Sequence, residues 1–395
     1  MKILVLAWEF PPRLIGGIAR HVAELYPEIV KLGHQVHLIT VEYSMAPSYE
    51  IVDGIHVHRV PVHDSNYFFS WIGNMNKSMG GYGGNLIKEQ GDFNLIHAHD
   101  WLVSDAAIAL KHHFKLPLIA TIHATEYGRH NGIHNDTQNY ISQKENRLSQ
   151  EAWRVIVCSN YMRDELKRVF GTPWNKIDII YNGIYAEKKQ HDSNFDAIAF
   201  RRRFARDEDK IIYYVGRMTY EKGVEVLLKA APKVLWELGG KGRIIIIGGG
   251  NTDHLKELAY HLHIGDKCHF TGFMSDEDLD KFQTIADCAV FPSLYEPFGI
   301  VALESFAARV PVVVSNTGGL PEVVQHGKTG IVTYVNDPNS VAWGILEVLK
   351  NPEYGKFLTK NAYEDLQKRF QWDKLARQTN NVYELVLHQR LQITW

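Results

Sequence analysis

Short apolar runs alternate with helical patterns from the first residue onward: KILVLAW (2–8), QVHLIT (35–40), GIHVHRV (54–60), LIHAH (95–99), PLIATIH (117–123), VIVCS (155–159) and KIDIIYNG (176–183). Alternation of this kind predicts a parallel sheet flanked by helices. A polar stretch with poor strand character follows, roughly 185–208. The alternation then restarts with IIYYVG (211–216), RIIIIGGG (243–250), CHFTGF (268–273), CAVFPS (288–293), VPVVVS (310–315) and GIVTY (330–334). An α/β chain of two doubly wound, Rossmann-like domains is expected, 1–186 and 205–371, and 395 residues suit two such cores. The final helical stretch, about 372–395, has no strand after it to cross to and is expected to pack back on the first domain.

With 43 Lys and Arg against 45 Asp and Glu, no bulk field favours nucleic acid or an anionic membrane, so any anion must be held by a local site. The chain opens directly on a strand, and no run approaches the length of a membrane span. A soluble, cytoplasmic protein is expected. Cys158, Cys268 and Cys288 are isolated and read as core fillers or free thiols. RRRFAR (201–206) reads as a solvated helix end, and the acids at 207–209 and 276–278 as solvated groups, with Ser275 capping a helix.

Two segments break the alternation: 63–92, with Tyr67, Phe68, Phe69, Trp71 and GGYGG, and 124–147, rich in His, Asn and Gln. Both are expected to be long loops beyond strand ends, where α/β proteins place acceptor-binding groups.

The chemistry sits where strands end. In WEFPPRLIGGIARHV (8–22) Gly16 and Gly17 precede an amphipathic helix, interrupted at Pro27 and closed by Gly33, whose N-terminal amides favour an anion. In YYVGRMTYEKG (213–223) Arg217 and Lys222 share one loop with Gly216 and Gly223, a set suited to a diphosphate. The IIIIGGG run ends in glycines, among them Gly249, against which a flat base or ribose can lie. SLYEPFGIVALESFA (293–307) places Glu296 in a loop and Glu304 about one turn into a helix, with the loop amides after Pro297, near Phe298, Gly299 and Ile300, turned toward an anion. Carboxylates suit sugars because each accepts two hydroxyl donors. SNTGGLPEVV (315–324) adds another Gly-Gly loop on the same sheet edge. HAHDW (97–101) and TIHATEYGRH (121–130) end two strands with Asp100 and His123; His97 and His99 share a strand face, but no carboxylate or Cys set completes a metal site there, so no metal is expected.

Taken together, PPRLIGGIARHV, HAHDW, GRMTYEKG, PSLYEPFGIVALE and NTGGLPE resemble the retaining nucleotide-sugar glycosyltransferases of the glycogen synthase and sucrose synthase superfamily, which have the GT-B fold, two Rossmann-like domains facing a cleft. The resemblance covers nearly the whole chain, and Glu296-x7-Glu304 is its most specific part. It implies that Glu296 contacts hydroxyls of the transferred sugar, Glu304 the ribose, Arg217 and Lys222 the diphosphate, and Gly17 the donor phosphate or anomeric region. It further implies that His123 contacts the donor sugar and its anomeric centre, with Asp100 near that sugar. At the first loop, bacterial starch and glycogen synthases carry Lys-x-Gly-Gly where this chain has Leu14-Ile15-Gly16-Gly17, which is nearer the broad family including sucrose- and lipid-directed transferases.

The expected reaction is transfer of a hexosyl group, glucosyl first, from UDP- or ADP-glucose to a carbohydrate acceptor with retention and without a metal, the domains closing over the donor. The rivals are a lipid-directed enzyme docking through Phe68, Phe69 and Trp71, a sugar-nucleotide hydrolase or epimerase, and a catalytically silent binding module.

Overall fold

A computed structural model describes residues 1–186 and 195–393; residues 187–194, part of the linker expected at 185–208, and 394–395 lie outside the described residues. The chain divides into two compact units, Met1–Gly183 together with the segment from Trp372, and Ile184–Gln371.

In the first unit the strands are β1 (Lys2–Leu6), β2 (Gln35–Val41), β3 (Tyr49–Val52), β4 (Ile55–Val60), β5 (Leu95–His99), β6 (Leu118–Ile122), β7 (Arg154–Val157) and β8 (Ile177–Ile179). They lie in the order β3-β4-β2-β1-β5-β6-β7-β8, every pairing parallel except β3 with β4. That hairpin was not expected. Its turn is Asp53-Gly54 with φ of 48° and 84°, the positive pair a two-residue hairpin turn requires, and a Cβ on Gly54 would lie 2.7 Å from Val30 Cγ1.

The second unit holds β9 (Lys210–Val215), β10 (Gly242–Ile247), β11 (Cys268–Gly272), β12 (Cys288–Phe291), β13 (Val312–Ser315) and β14 (Ile331–Thr333). The order β11-β10-β9-β12-β13-β14 is all parallel and reverses direction between β9 and β12. Ile244 to Ile247 show why these strands read as unbroken apolar runs: all are at most 1 % exposed, and burying each contributes roughly 1.5–3 kcal/mol.

Both expected long loops are largely helical. Residues Phe68–Gln90 form one helix whose buried Ile72, Met75, Met79, Gly83 and Leu86 recur at helical spacing. Its glycines are a packing face: a Cβ on Gly83 would sit 3.0 Å from Leu110 and 3.2 Å from Ile39. Residues 124–147 contribute the helix Glu126–His130 and most of Asp136–Glu151, capped by Thr125 and Asn135, whose side chains accept the amides of Gly128 and Gln138. The first helix, Gly17–Lys31, runs through Pro27 without interruption. Asp209 is buried among Arg243 and Arg206 rather than solvated. Within the first unit, Trp372 in the helix Trp372–Leu391 donates its indole N–H to Glu24 at 2.7 Å. Among the described residues no helix is long and apolar enough to cross a membrane.

Candidate active site

A doubly wound sheet leaves a crevice at the carboxyl ends of the strands where its order reverses, because the connecting loops on either side part in opposite directions. In the second unit the loops after β9 and β12 flank that point. They carry Gly216 to Gly223 and Pro292 to Gly299, and with them Arg217, Lys222, Glu296, Pro297 and Phe298 of the residues singled out from sequence.

The two loops are locked at backbone distance. Leu294 N–H donates to the Glu221 carbonyl at 2.8 Å, and a Cβ on Gly223, at φ 66°, would collide with the Pro292 carbonyl. Across this contact Lys222 Nζ meets Glu296 Oε2 at 2.7 Å, both side chains largely buried. The Glu296 carbonyl accepts the Gly319 amide at 2.9 Å, an approach that any side chain on Gly318 would block. The Gly-Gly after β13 thus fixes Glu296 from behind.

Arg217 stands apart from this pair. Its side chain is 53 % exposed and bonds Glu221 at 3.3 Å, while its carbonyl accepts the Tyr214 hydroxyl at 2.9 Å. Tyr214 Oη occupies the space a side chain on Gly216 would need. Gly249 has open space around its Cβ position, and its carbonyl accepts the Met218 amide at 3.1 Å. Glu304 lies 4 % exposed in the helix Ile300–Ala307, which begins at Gly299 with no side-chain cap, so its first amides are free of that competitor. Pro297 and Phe298 lead into it; Phe298 is buried against Phe370, leaving only its backbone to meet a ligand.

In the first unit the reversal falls between β1 and β5. The loop after β1 holds Glu9, a residue sequence reasoning missed, whose carboxylate accepts the amides of Ile15 and Gly16 at 2.7 and 2.8 Å. Burial raises the Glu9 pKa, opposed by those amides. The Gly16 amide is therefore already engaged, while Gly17 is exposed as the first residue of its helix. The signal was present: an acid directly after a buried strand in a loop stiffened by two prolines.

After β5, Asp100 has φ 61° and ψ 172°, a region nearly restricted to glycine, although it is only 5 % exposed. Its Oδ1 accepts the His123 amide at 2.8 Å, so these two expected residues do come together. Burial raises the Asp100 pKa to about 6, with the His123 amide and Arg129 pulling it down. Burial and then Arg129 lower His123 to about 3. Arg129 and Glu145 were missed because each looks like an ordinary helix-surface residue. Glu145 is 3 % exposed, accepts the Glu126 amide at 2.9 Å, and has its pKa raised by burial.

Two doubly wound, largely parallel sheets with polar, glycine-lined loops at each reversal are the architecture shared by the GT-B glycosyltransferases. Residues 15–188 match the family described as Glycosyltransferase Family 4 and residues 195–365 that described as Glycosyl transferases group 1, and the chain belongs to this group 1, family 4-like family of glycosyltransferases. An uncharacterized glycosyltransferase of Methanocaldococcus jannaschii is 38 % identical over 98 % of this chain and 99 % of its own, and a glycogen synthase of Mycobacterium tuberculosis is 34 % identical over 97 % and 94 %. The sucrose-phosphate synthase of Thermosynechococcus elongatus superposes with a TM-score of 0.85 at 24 % identity, over 98 % of this chain and 99 % of that one. HepE of Anabaena in complex with UDP-glucose superposes at 0.78 and 18 % identity, over 97 % and 99 %.

Proposed function

We propose that this glycosyltransferase moves a hexosyl group, most simply glucosyl, from a nucleoside diphosphate sugar to an acceptor hydroxyl with retention of configuration. The observation that carries the reading is the Lys222–Glu296 pair, 2.7 Å apart at the reversal of the second sheet although 74 positions separate them. Lys222 supplies a point charge for the leaving diphosphate, and the uncapped amides from Ile300 onward and the exposed Arg217 add donors to it. The charge developed on the departing oxygen is thereby met by fixed cations and N–H groups, and no metal is required. With Lys222 turned to phosphate, Glu296 accepts sugar hydroxyls and Glu304 those of the ribose. His123 and Asp100 act at the transferred sugar.

UDP-glucose and ADP-glucose are the donors to test first, supported by the solved structures of HepE with UDP-glucose and of Arabidopsis starch synthase IV with ADP and acarbose. An α-glucan, an oligosaccharide or a small sugar is the acceptor class. A lipid acceptor is less favoured: of the aromatic residues at the start of the helix Phe68–Gln90, Phe69 packs on Tyr140 and Trp71 lies over Arg13, leaving Tyr67 and Phe68 exposed.

The test is nucleotide release from UDP-glucose, ADP-glucose, UDP-N-acetylglucosamine and GDP-mannose in EDTA, with and without maltooligosaccharide, fructose phosphate and lipid acceptors. Acceptor-dependent release with one donor is expected. Release that ignores every acceptor supports a hydrolase instead and overturns the transferase reading.

A further inference from the structure

Beside Asp100 the first unit concentrates imidazoles: His21 in the helix Gly17–Lys31, His97 and His99 on β5, and His123 after β6. His21, His97 and His99 are at most 5 % exposed and His123 is half-buried. One nitrogen each of His21, His99 and His123 lies within 4.8 Å of the other two.

The hydrogen bonds fix the tautomer of His21 and allow one for His99 that turns its lone pair the same way. His21 Nδ1 is 2.8 Å from Asn182 Oδ1, an acceptor, so His21 donates there and its Nε2 is a bare lone pair; that atom is buried with no partner. His97 Nε2 and His99 Nε2 lie 2.7 Å from the Thr121 and Tyr26 hydroxyls, and Tyr26 Oη is 2.9 Å from His97 Nδ1. The Tyr383 hydroxyl lies 2.7 Å from the same His97 Nδ1. One chain that satisfies these groups runs from His99 Nε2–H to Tyr26, from the Tyr26 or Tyr383 hydroxyl to His97 Nδ1, and from His97 Nε2–H to Thr121. It leaves His99 Nδ1 as an acceptor, facing His123 Nε2 at 3.1 Å. Burial holds His21 and His123 neutral, their pKa lowered to about 3, and drives His97 and His99 well below the usual range.

We infer that His21 Nε2, His99 Nδ1 and His123 Nε2 form a binding site for a divalent transition-metal ion of the zinc class. Three imidazoles on a tetrahedral ion stand about 3.3 Å apart at metal–nitrogen distances of about 2.0–2.1 Å. The His99–His123 separation of 3.1 Å is already of that size, and His21 has to close a gap no wider than 4.8 Å. Binding requires the one proton between His99 Nδ1 and His123 Nε2 to leave that contact, and in the arrangement above it moves to His123 Nδ1. Asn182 and Tyr26 are the outer groups that orient a ligating imidazole by accepting its second N–H. All-nitrogen ligation favours Zn²⁺, Co²⁺, Ni²⁺ or Cu²⁺ over Mg²⁺ or Ca²⁺. Water completes the coordination on the half-buried His123 side.

If His123 acts at the transferred sugar, an ion here competes with that role and one equivalent of Zn²⁺ lowers transfer. That consequence alone rests on the function proposed above.

The test uses the full chain stripped with EDTA and dialysed, titrated with Co²⁺ and read by the visible ligand-field band of tetrahedral cobalt, without substrates. One Co²⁺ per chain, displaced by Zn²⁺, is expected. His123→Ala, at a half-buried position, and His21→Gln abolish the band, Asn182→Ala weakens binding roughly 10- to 100-fold, and His261→Ala on the surface changes nothing. No band in the wild-type chain, or a band that survives both His123→Ala and His21→Gln, overturns the site. Because the readout involves no donor sugar, its failure is distinguishable from failure of the transferase reading.

Discussion

The histidine cluster makes acid stability a quantitative test of the first unit. His21 and His123 have folded pKa values of about 3 against an ordinary 6.5. A lowered histidine pKa means that the unfolded chain binds protons the folded one refuses, so stability is full above about 6.5 and is lost as pH falls toward 3. Between pH 7 and pH 5 each of the two costs about 2 kcal/mol. Asp100 works the other way. Its folded pKa of about 6 exceeds the ordinary 3.8, so its contribution is present at low pH and lost as pH rises through 6. Over the same interval it restores about 1 kcal/mol, so these three groups together lose about 3 kcal/mol. His97 and His99, also shifted downward, deepen that loss, while Glu9 and Glu145, shifted upward by burial, oppose it. The assay is hydrogen exchange of the β5 and β6 amides at increasing denaturant, at pH 7 and pH 5 in EDTA, which follows this unit whether or not the other unfolds with it. His123→Asn is expected to shrink the difference by about 2 kcal/mol. A pH 7 to pH 5 difference that is the same in His123→Asn as in the wild-type chain refutes the view that this ring is held neutral.

Lys222→Ala and Glu296→Ala are each expected to lower transfer at least about a hundredfold with an unchanged circular dichroism spectrum; near-normal turnover in either removes the pair from the site. Gly223→Ala forces a side chain into left-handed backbone against the Pro292 carbonyl, so urea unfolding of the second unit should show a loss above the roughly 1–2 kcal/mol of that conformation alone. At Asp100, glycine relieves the backbone and alanine does not: Asp100→Gly should be more stable than Asp100→Ala by about 1–3 kcal/mol, both having lost transfer, and equal melting of the two would show that the backbone is unstrained.

The loops of the candidate site were legible wherever the chain marks them locally. A buried strand followed by Gly216, Arg217 and Lys222, or by Glu296 and Gly299, announces a polar loop at a strand's carboxyl end. Where the local signal misled, it was glycine. GGYGG at 80–84 looks like a loop because glycine disfavours a helix by about 1 kcal/mol per residue, yet Gly83 is what lets that helix approach Leu110 and Ile39, a tertiary gain invisible along the chain. The β3–β4 hairpin, by contrast, was announced by Asp53-Gly54 and overlooked.

By itself the sequence determined two α/β sheets, because strands covered by helices must be apolar along their length, and it determined the loops that end them. Only the tertiary structure decided that Lys222 pairs with Glu296, that Glu9 holds the amides before the first helix, and that His21, His99 and His123 converge. Strand order is set by how right-handed crossovers stack helices on both faces of a sheet. It is that order, reversing between β1 and β5 and again between β9 and β12, that brings residues distant in the chain to one crevice within each unit.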